Sequence, residues 1–501
     1  MTKFGISQPV LRVEDTRLLT GHGRYVDDIA PEGAGVAVFL RSPHAFAALQ
    51  SVDVSAAKEA PGVIGVWTGA DLESAIVNDL DSAVVKNRDG SMGAKPKRPV
   101  LAVGHVRYVG EAVAMVVAET EGDARAAAEL IEVEYAELSG NADPKLASAS
   151  TELHPDLAPG NRAYDWAFGD EAAVEAAFAS AADVVSLDLV NNRVIAASLE
   201  PRGAFAEWDG KRLHLAFGGQ GVWGMKGQLA AKLGLEPAQV RVTNPDVGGG
   251  FGMKSFPYPE YFAVAVAARA MGRPVRWMSD RSEAMLTDVG GRDNFTTARA
   301  AFDADKRLIA VRFDITSNLG AYNSGYGQFI QSELAKFVQP GVYDVQKLFM
   351  TTRGVYTNST PVDAYRGAGR PEANYAMERL IDASARQLGM DQVELRRINF
   401  IKPEQFPYTT AVGEVYDVGN FDRVLTRAMK ENDWDGFAAR RAEAGSRGKL
   451  LGRGLCYYIE SILGAQNETT KIEFADDGGL NLYVGTQSNG QGHETVFAQI
   501  L

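Results

Sequence analysis

Cysteine is almost absent from this sequence. Cys456 is the only cysteine among 501 residues, so no disulfide can form within the chain. An iron–sulfur cluster needs about four cysteine thiolates, which excludes such a cluster here. The six histidines are scattered, and no two of them have the spacing of a zinc site. If the chain takes part in redox chemistry, the reactive centre must therefore belong to a bound cofactor. The electrons must then leave through another subunit or a soluble acceptor.

The sequence also lacks an excess of positive charge and any long apolar run. Its formal net charge is -13, and no basic run with interleaved aromatic residues is present, which disfavours nucleic-acid binding. The first residues do not form the apolar segment of a signal peptide, and no apolar stretch reaches membrane-spanning length. We therefore expect a cytoplasmic protein without a membrane span. The length predicts about three domains.

Four segments share one order: a β-like run, a glycine-rich loop and the start of a helix. Their loops are residues 218–221, 246–255, 366–370 and 490–495. Glycine lets the backbone take left-handed angles and lets a ligand approach closely, and a turn at a helix start presents free N–H groups to an anion. Two loops carry a glutamine, Gln220 and Gln491. The pattern is consistent with four unrelated tight turns, or with four loops that converge on one large, polar, anionic cofactor.

The rest of the chain alternates strand-like and helix-like patterns, which predicts an α+β protein. An extended arm is expected over residues 12–28. Strands are predicted at 36–41, 63–68, 113–118, 184–191, 203–208, 213–217, 239–243, 275–279, 308–317, 362–365, 455–459 and 480–484. Helices are predicted at 56–59, 122–132, 171–181, 222–233, 372–388, 391–399 and 421–444, the last of these as a helical hairpin.

These elements group into segments along the chain. Residues 1–145 are predicted to form one domain. Residues 146–165 contain Pro, Ser, Asn and Gly without periodicity and are predicted to be a linker. Residues 166–440 form a second domain, and residues 441–501 begin a third. Because the sequence stops inside a predicted helix, we expect either a fragment or a fold that a second polypeptide completes.

Ordered motifs connect these segments to a known family. They are Arg41-Ser-Pro-His-Ala45, Tyr108-Val-Gly-Glu-Ala112, Gly248-Gly-Gly-Phe-Gly252, Ala364-Tyr-Arg-Gly-Ala-Gly-Arg-Pro-Glu-Ala373, Asn399-Phe-Ile-Lys-Pro-Glu-Gln-Phe-Pro-Tyr408 and Gly490-Gln-Gly-His-Glu-Thr495. The sequence resembles the large, molybdopterin-binding subunit of the molybdenum hydroxylases, the xanthine dehydrogenase and aldehyde oxidase superfamily. Within this family it is most similar to the large subunit of aerobic carbon monoxide dehydrogenase and its relatives. The likeness runs from Arg12 to the last residue.

The resemblance implies an α/β hammerhead domain over residues 1–145. Mixed α/β molybdopterin-binding domains would follow over 166–440 and 441–501, the last of them incomplete. The implied cofactor is molybdopterin cytosine dinucleotide. The implied partners are a small [2Fe-2S] subunit and a medium FAD-binding subunit, in a dimer of heterotrimers. The family reaction is hydroxylation of an electron-poor carbon with oxygen from water, and electrons pass to the iron–sulfur and FAD groups of the partners.

The resemblance also implies roles for residues around the molybdenum end of the pterin, here called the metal end. Gln220 would place its side-chain amide near the molybdenum oxo group. Gly250, Phe251 and Gly252 would lie against this end, with their backbone N–H groups facing it. Arg366 would lie at the substrate side, where a fixed cation stabilises charge that develops on a bound oxygen. Gln220 and Arg366 are thus the expected catalytic residues.

The loop 490–495 would hold the pterin or the dinucleotide phosphates through Gln491, Gly492 and Thr495. The family's general base is a glutamate near the end of the large subunit, beyond the position of residue 501. We therefore expect this polypeptide alone to lack the base. A separate carboxy-terminal chain could supply it.

Two departures from the family pattern bear on the substrate. The copper-containing carbon monoxide dehydrogenases carry a cysteine in the loop after the Tyr-Arg pair, where this sequence has Gly367. A copper–molybdenum site is therefore not expected. The xanthine-type enzymes have a glutamate shortly after the Gly-Phe-Gly turn, where this sequence has Ser255. An aldehyde or an N-heterocycle is thus a better candidate substrate than a purine.

Two other functions are compatible with the sequence. Gly219, Gly221 and Gly224 have the G-x-G-x-x-G spacing of a dinucleotide-binding loop, and Asp246 follows at about the expected distance. An NAD-dependent dehydrogenase is therefore an alternative, although Trp223 is bulky at this position. A non-catalytic, truncated subunit of an assembly is the second alternative.

Four further residues have competing interpretations. Cys456 is predicted to be a small buried residue within the strand-like run 455–459. Glu460 is predicted to form a salt bridge or anchor a loop. Glu200 and Arg202 either line the pocket of the expected cofactor and substrate site or form a structural ion pair.

Overall fold

The computed structural model describes residues 5–77, 80, 82–462, 464 and 467–501. The strands are β1 Gly35–Arg41, β2 Ala47–Asp53, β3 Val63–Thr68, β4 His105–Val106, β5 Ala112–Ala118, β6 Glu132–Glu137, β7 Arg162–Gly169, β8 Asp183–Asn191, β9 Gly203–Trp208, β10 Leu213–Phe217, β11 Val240–Thr243, β12 Val275–Met278, β13 Asn294–Phe302, β14 Leu308–Asn318, β15 Leu348–Val355, β16 Tyr408–Thr409, β17 Val415–Tyr416, β18 Lys471–Phe474 and β19 Leu480–Tyr483.

The α-helices follow the same chain order. They are α1 Asp15–Leu19, α2 Ser55–Lys58, α3 Gly69–Glu73, α4 Glu121–Ala128, α5 Glu171–Ser180, α6 Val222–Leu233, α7 Pro259–Met271, α8 Arg281–Thr287, α9 Gly327–Phe329, α10 Arg370–Gln387, α11 Gln392–Asn399, α12 Phe421–Glu431, α13 Phe437–Ser446 and α14 His493–Ile500. Within the described residues, none of these helices combines the length and the apolarity that crossing a bilayer requires.

The largest sheet has seven strands in the order β11-β10-β9-β12-β1-β5-β3. Strand β5 is buried along its whole length, as expected of a central strand covered on both faces. Strands β1, β3 and β5 come from residues 1–145, whereas β9 to β12 come from the segment after residue 166. The two groups join where β1 pairs in parallel with β12, Gly35 opposite Val275. This sheet therefore continues across the domain boundary predicted near residue 145.

The unit β10–α6–β11 forms one end of this sheet. Strands β10 and β11 pair in parallel, from Leu213 opposite Val240 to Ala216 opposite Thr243. Helix α6 makes the crossover, because parallel neighbours cannot be joined by a tight turn. The carboxyl ends of the two strands consequently lie side by side. The loops that leave these ends carry Gln220 and the turn Gly248–Gly252.

A second sheet has five strands in the order β7-β15-β14-β13-β8. Helix α10 packs against it with an apolar face that includes Ala373, Met377 and Leu380, as the periodicity of the sequence predicts. The loop before α10 has three consecutive residues with left-handed backbone angles, at Gly367, Ala368 and Gly369 (φ 91°, 36° and 78°). This turn places Arg366 at the amino-terminal side of α10.

The remaining strands form smaller sheets. Strand β2 lies between β4 and β6 in a three-stranded antiparallel sheet of the amino-terminal region. The pairs β16–β17 and β18–β19 are antiparallel two-stranded ribbons. The sequence patterns did not predict β2, β6, β13 or β15. Strands of this kind depend on long-range pairing more than on local propensity.

A network of buried charges links β1 to the segment after residue 166. Arg202 is fully buried, 3.0 Å from Glu260 and 2.6 Å from Asp288, and its guanidinium lies 3.7 Å from the ring centre of Tyr258. Arg41, at the end of β1, lies 2.9 Å from Glu260. Burial opposes the ionisation of Glu260, but Arg202 and Arg41 outweigh it and hold the pKa of Glu260 below its usual value. These pairs lock β1 to helix α7.

Several local predictions are wrong. The arm 12–28 is not extended throughout, because it contains α1. The helix predicted at 122–132 ends at Ala128, because residues 132–137 pair with β2 as strand β6. Residues 362–365 form a single bridge, Gly290 to Val362, rather than a strand. The reason is that the Asp363 carboxylate accepts the N–H groups of Ala364 and Tyr326 and so holds the segment in a turn.

The prediction for Cys456 is also wrong. Residues 455–459 have no strand partner within the described chain, and Cys456 is exposed. The segment is extended, so alternate side chains point to opposite sides. Leu455, Tyr457 and Ile459 pack against the core beside α10, which leaves Cys456 on the outer side. Cys456 is thus on the exposed side of the segment rather than on the buried side.

The predicted linker 146–165 contains short 3-10 turns and the first residues of β7. Leu153 and Tyr164 in this segment are buried in the core of the five-stranded sheet. His154 is also buried and makes a 2.8 Å hydrogen bond through Nε2 with the carbonyl of Ala321. The segment therefore packs closely against the sheet along part of its length.

The buried charge network predicts a large effect of Arg202→Met. The substitution leaves Glu260 and Asp288 buried without their cation, so we expect the free energy of unfolding to fall by about 3–5 kcal/mol. The control is Arg427→Met, because the Arg427–Glu431 pair is exposed (79% and 61%) and should contribute little. Urea unfolding of both variants measures the difference. Equal losses in the two variants would contradict the assignment.

Candidate functional site

The side chain of Gln220 meets the glycine turn directly. The backbone N–H of Gly252 donates to the side-chain Oε1 of Gln220 at 2.9 Å. The backbone N–H of Gln220 donates to the carbonyl of Lys254 at 3.0 Å. The side-chain Nε2 of Gln220 makes no hydrogen bond within the described part of the chain. The adjacency of the β10 and β11 ends explains this meeting. Both hydrogens on Gln220 Nε2 therefore remain free for a ligand.

The turn itself requires glycine at two positions. A Cβ at Gly250 would lie 2.4 Å from Gln220 Cδ, and a Cβ at Gly252 would lie 3.1 Å from the carbonyl oxygen of Ala364. Gly252 and Phe251 both have left-handed backbone angles, with φ of 87° and 55°. The close approach of Gln220 to the turn therefore depends on the missing side chain of Gly250.

Arg366 lies on the other side of the same turn. Its N–H donates to the carbonyl of Phe251 at 2.9 Å. Arg292 supports the loop from behind, because its guanidinium donates to the carbonyls of Tyr365 at 2.7 Å and Arg366 at 2.9 Å. The guanidinium of Arg366 itself makes no hydrogen bond or ion pair with a described residue. An exposed, unpaired arginine held at its backbone is suited to an anionic ligand.

The turn also offers backbone donors. The N–H groups of Gly249, Gly250 and Phe251 make no hydrogen bond to any residue for which the structure gives a position. Successive free N–H groups at a turn with left-handed residues form an anion-binding concavity. Together with Arg366 and the amide of Gln220, they form a concentrated set of hydrogen-bond donors.

The carboxy-terminal loop reaches the same place through a residue that the sequence analysis missed. Gln487 Nε2 donates to the carbonyl of Gly219 at 2.6 Å, and Gln487 Oε1 accepts the N–H of Gly221 at 3.1 Å. Gln487 is therefore hydrogen-bonded to the backbone on both sides of Gln220. One signal was present in the sequence, since Gln487 follows β19 much as Gln220 follows β10.

Gln491, Gly492 and Thr495 lie beside the amino-terminal arm. The Thr495 hydroxyl donates to Glu14 at 2.6 Å and accepts the N–H of Val13 at 2.8 Å. The side-chain oxygen of Gln491 accepts the N–H of Asn489 within its own loop. Their predicted role in holding a cofactor remains a prediction. Gly490 of their loop lines the cavity together with the glycine turn, whereas Gln491, Gly492 and Thr495 do not.

Arg17 in α1 ties the arm to both loops. Its guanidinium binds the Asp246 carboxylate through two hydrogen bonds of 2.6 and 2.9 Å and lies 2.6 Å from Glu494. The hydrogen bond to Arg17 holds the pKa of Asp246 below its usual value. The backbone N–H of Arg24 also donates to Asp246 at 2.8 Å. Asp246 thus fastens the arm at the beginning of the glycine turn.

The arm, the glycine turn, the Arg366 loop and residues 488–490 surround a cavity of about 630 Å³. Its wall includes Gly249, Phe251, Arg366, Arg17 and Asn489. A volume of this size is typical of a site for a cofactor or a small organic ligand. Gly249, Phe251 and Arg366 bring free donors to the cavity wall, whereas Gln220 and Gly250 are not part of it. The half-exposed ring of Phe251 adds an apolar surface. The arrangement is therefore suited to a large ligand with both anionic and flat, unsaturated parts.

Comparison with known proteins agrees with this geometry. Residues 20–139 match the a/b hammerhead domain of aldehyde oxidase and xanthine dehydrogenase. Residues 153–400 match one molybdopterin cofactor-binding domain, and residues 427–501 match a second such domain. The predicted α+β fold, with a hammerhead domain followed by molybdopterin-binding domains, is thereby confirmed.

Individual relatives match all or nearly all of the chain. The nicotine 6-hydroxylase large subunit of Paenarthrobacter nicotinovorans is 34% identical over 100% of this chain and 62% of its own. The carbon monoxide dehydrogenase large chain of Hydrogenophaga pseudoflava is 32% identical over 97% of this chain and 63% of its own. The crystal structure of quinoline 2-oxidoreductase from Pseudomonas putida 86 superimposes with a TM-score of 0.88 at 34% identity, covering 100% of this chain and 64% of the other.

The chain thus spans slightly less than two thirds of the length of these relatives. The motifs, the three domain matches and the fold agree with one another. This chain belongs to the family of molybdopterin-binding large subunits of the molybdenum hydroxylases, the xanthine dehydrogenase and aldehyde oxidase superfamily.

Proposed function

We propose that this chain binds the molybdenum cofactor of an oxidoreductase that hydroxylates an electron-poor carbon with oxygen from water. The observation that carries the proposal is the contact of the Gln220 side chain with the glycine turn, whose residues Gly249 and Phe251 line one cavity together with the unpaired Arg366. Hydrogen-bond donors fixed in this way stabilise negative charge on oxygen without reorganisation during a reaction.

The donors present fit molybdopterin cytosine dinucleotide. Gly250 lets the Gln220 side chain lie directly against the turn, because any Cβ at Gly250 would collide with Gln220. The free N–H groups of the turn and the Gln220 amide would hold the metal end, and the 488–495 loop would lie along the pterin or the phosphates. When bound, the cofactor would supply the two-electron oxidation of the substrate carbon. Arg366 would orient the substrate and stabilise charge on its oxygen.

Electron transfer requires partners under this proposal. The single cysteine of the chain provides no ligand set for an iron–sulfur cluster. We therefore propose a small subunit with [2Fe-2S] clusters and a medium subunit with FAD, arranged as a dimer of heterotrimers. The part of the relatives that lies beyond this chain's match, including the general-base glutamate expected there, would complete the site in the active protein.

An N-heteroaromatic compound or an aldehyde is the favoured substrate class. Ser255 replaces the glutamate that holds a purine, and Gly367 replaces the cysteine that a copper–molybdenum site needs. The apolar side chains of Phe251 and Leu199 at the cavity are 42% and 92% exposed and can contact a flat ring. Two relatives, by their names, act on nicotine and quinoline, which supports a heteroaromatic substrate.

The dinucleotide alternative has less support. The N–H of Gly221, a position that should face a pyrophosphate, donates to Gln487. Asp246, the expected ribose ligand, is occupied by Arg17. In addition, β9 pairs antiparallel with both β10 and β12, unlike the parallel sheet of a dinucleotide-binding fold.

The metal content of the native assembly tests the proposal. The protein is purified from its own cells with its partner chains, and molybdenum, iron, copper and flavin are measured together. We expect molybdenum with this chain, iron and flavin with separate chains, and no copper. An assembly that contains iron and flavin but no molybdenum would instead support a non-catalytic subunit.

Gln220→Ala tests the role of the amide. We expect turnover in the assembly to fall by about 10²- to 10³-fold, because a donor at the reacting centre is lost. The thermal unfolding midpoint should fall only slightly, because the part-buried Gly252 N–H loses its single hydrogen bond to Gln220. Gln228→Ala, on the neighbouring helix α6, is the control and should retain normal turnover. Normal turnover in Gln220→Ala would remove the residue from the site.

Gly250→Ala tests the close approach. The added methyl group would displace the Gln220 side chain, so we expect reduced molybdenum content and reduced turnover. The control is Gly224→Ala, because a Cβ there meets no atom within 4 Å and alanine favours a helix. Normal molybdenum content and turnover in Gly250→Ala would contradict the proposed packing of Gln220 on the turn.

A further inference from the structure

A buried ion pair lies directly beneath the glycine turn. Lys254 has no solvent exposure, and its Nζ lies 2.9 Å from Glu200 Oε2. Glu200 is itself only 8% exposed. Neither side chain is among those that surround the cavity. The sequence leaves the role of Glu200 open between lining the pocket and forming a structural ion pair, and the structure shows an ion pair with Lys254.

Glu200 is hydrogen-bonded to Gly248 at the beginning of the turn. Its Oε2 accepts the N–H of Gly248 at 2.8 Å, and its backbone N–H donates to the carbonyl of Gly248 at 3.2 Å. Its other oxygen faces the Gln220 loop, since a Cβ at Gly218 would lie 2.9 Å from Glu200 Oε1. One carboxylate therefore contacts the loop after β10 and the loop after β11.

Lys254 is bonded to the end of the turn and to Gln220. The backbone N–H of Lys254 donates to the carbonyl of Gly250 at 3.3 Å, and the backbone carbonyl of Lys254 accepts the backbone N–H of Gln220 at 3.0 Å. The ion pair thus connects Gly248 at one end of the turn to Gln220 and Gly250 at the other. A displacement of either charged side chain would change the distance between the Gln220 amide and the turn.

Stability alone does not account for this pair. Burial lowers the pKa of Lys254, which measures the cost of holding an ammonium group away from water, although the Glu200 carboxylate opposes the shift. Glu200 Oε1 is buried and has no hydrogen-bond partner among the described residues. Apolar side chains of similar volume often replace a buried ion pair without loss of stability. A geometric role is therefore the better explanation.

We propose that the Glu200–Lys254 ion pair is a positioning element that sets the distance and orientation of the Gln220 amide relative to the turn Gly248–Gly252. This inference rests on the proposed function, because the amide is positioned toward the molybdenum cofactor. Glu200 and Lys254 act through Gln220 and the turn and do not touch the substrate.

The test compares two isosteric variants in the intact native assembly, Glu200→Gln and Glu378→Gln. Glu378 is a matched control, since it is 5% exposed, pairs with the buried Arg396 at 2.8 Å and accepts the backbone N–H of Tyr457 at 2.8 Å, away from the cavity. Thermal midpoint, molybdenum content, kcat, KM and the electron paramagnetic resonance signal of molybdenum are measured for both.

We expect both variants to lower the thermal midpoint and to keep the molybdenum content. Only Glu200→Gln should reduce kcat, by about 10- to 100-fold, as expected for a residue that orients a side chain hydrogen-bonded to the cofactor. Its KM should change less than about two-fold, because ground-state binding is unaffected. Its molybdenum resonance signal should also shift, whereas the signal of Glu378→Gln should match that of the unmodified protein.

A double variant separates positioning from stability. Glu200→Met with Lys254→Met removes both buried charges, and we expect the thermal midpoint to recover while kcat and the resonance signal stay altered. Recovery of kcat and of the signal together with the midpoint would overturn the proposal, as would an unaltered kcat in Glu200→Gln. Absence of molybdenum from the unmodified assembly is a distinct result, which would refute the proposed function itself.

Discussion

The parallel pairing of β10 with β11 is the constraint on which the site depends. Parallel neighbours end at the same edge of a sheet, so the loop with Gln220 and the loop with the glycine turn must emerge side by side. The hydrogen bond from the Gly252 N–H to Gln220 Oε1 is a direct consequence. The other elements of the site contact these two loops. Arg366 is hydrogen-bonded to Phe251, Gln487 to Gly219 and Gly221, and Arg17 of the arm to Asp246.

Local features of the site could be predicted from the sequence. The bounds of β10 and α6 were predicted correctly, because an apolar run, a glycine loop and an amphipathic pattern are all contained within about twenty residues. The convergence of the loops could only be inferred from resemblance to a family. Gln487 was missed because it contacts Gly219 across 268 residues, and the Arg17–Asp246 pair spans 229 residues. Local patterns carry no information about such distant partners.

The same distinction explains the errors. Cys456 lies in a segment whose alternation is visible, but the phase of the alternation depends on which side meets α10. Asp363 prevents a strand by bonding to nearby backbone N–H groups, and it is buried, which raises its pKa to about 7. Strand β13 was not predicted, although it lies inside the five-stranded sheet between β8 and β14. Tertiary packing, rather than propensity, decides each of these cases.

The central proposal is that the Gln220 amide and the glycine turn face a molybdenum cofactor. Anomalous diffraction from crystals of the native assembly, measured on both sides of the molybdenum absorption edge, tests this claim most directly. We predict one strong anomalous peak per chain, at a position where atoms bound to molybdenum can accept hydrogen bonds from the Gln220 amide and the turn Gly250–Gly252. A peak elsewhere on the chain, or no peak in an assembly that is active, would contradict it.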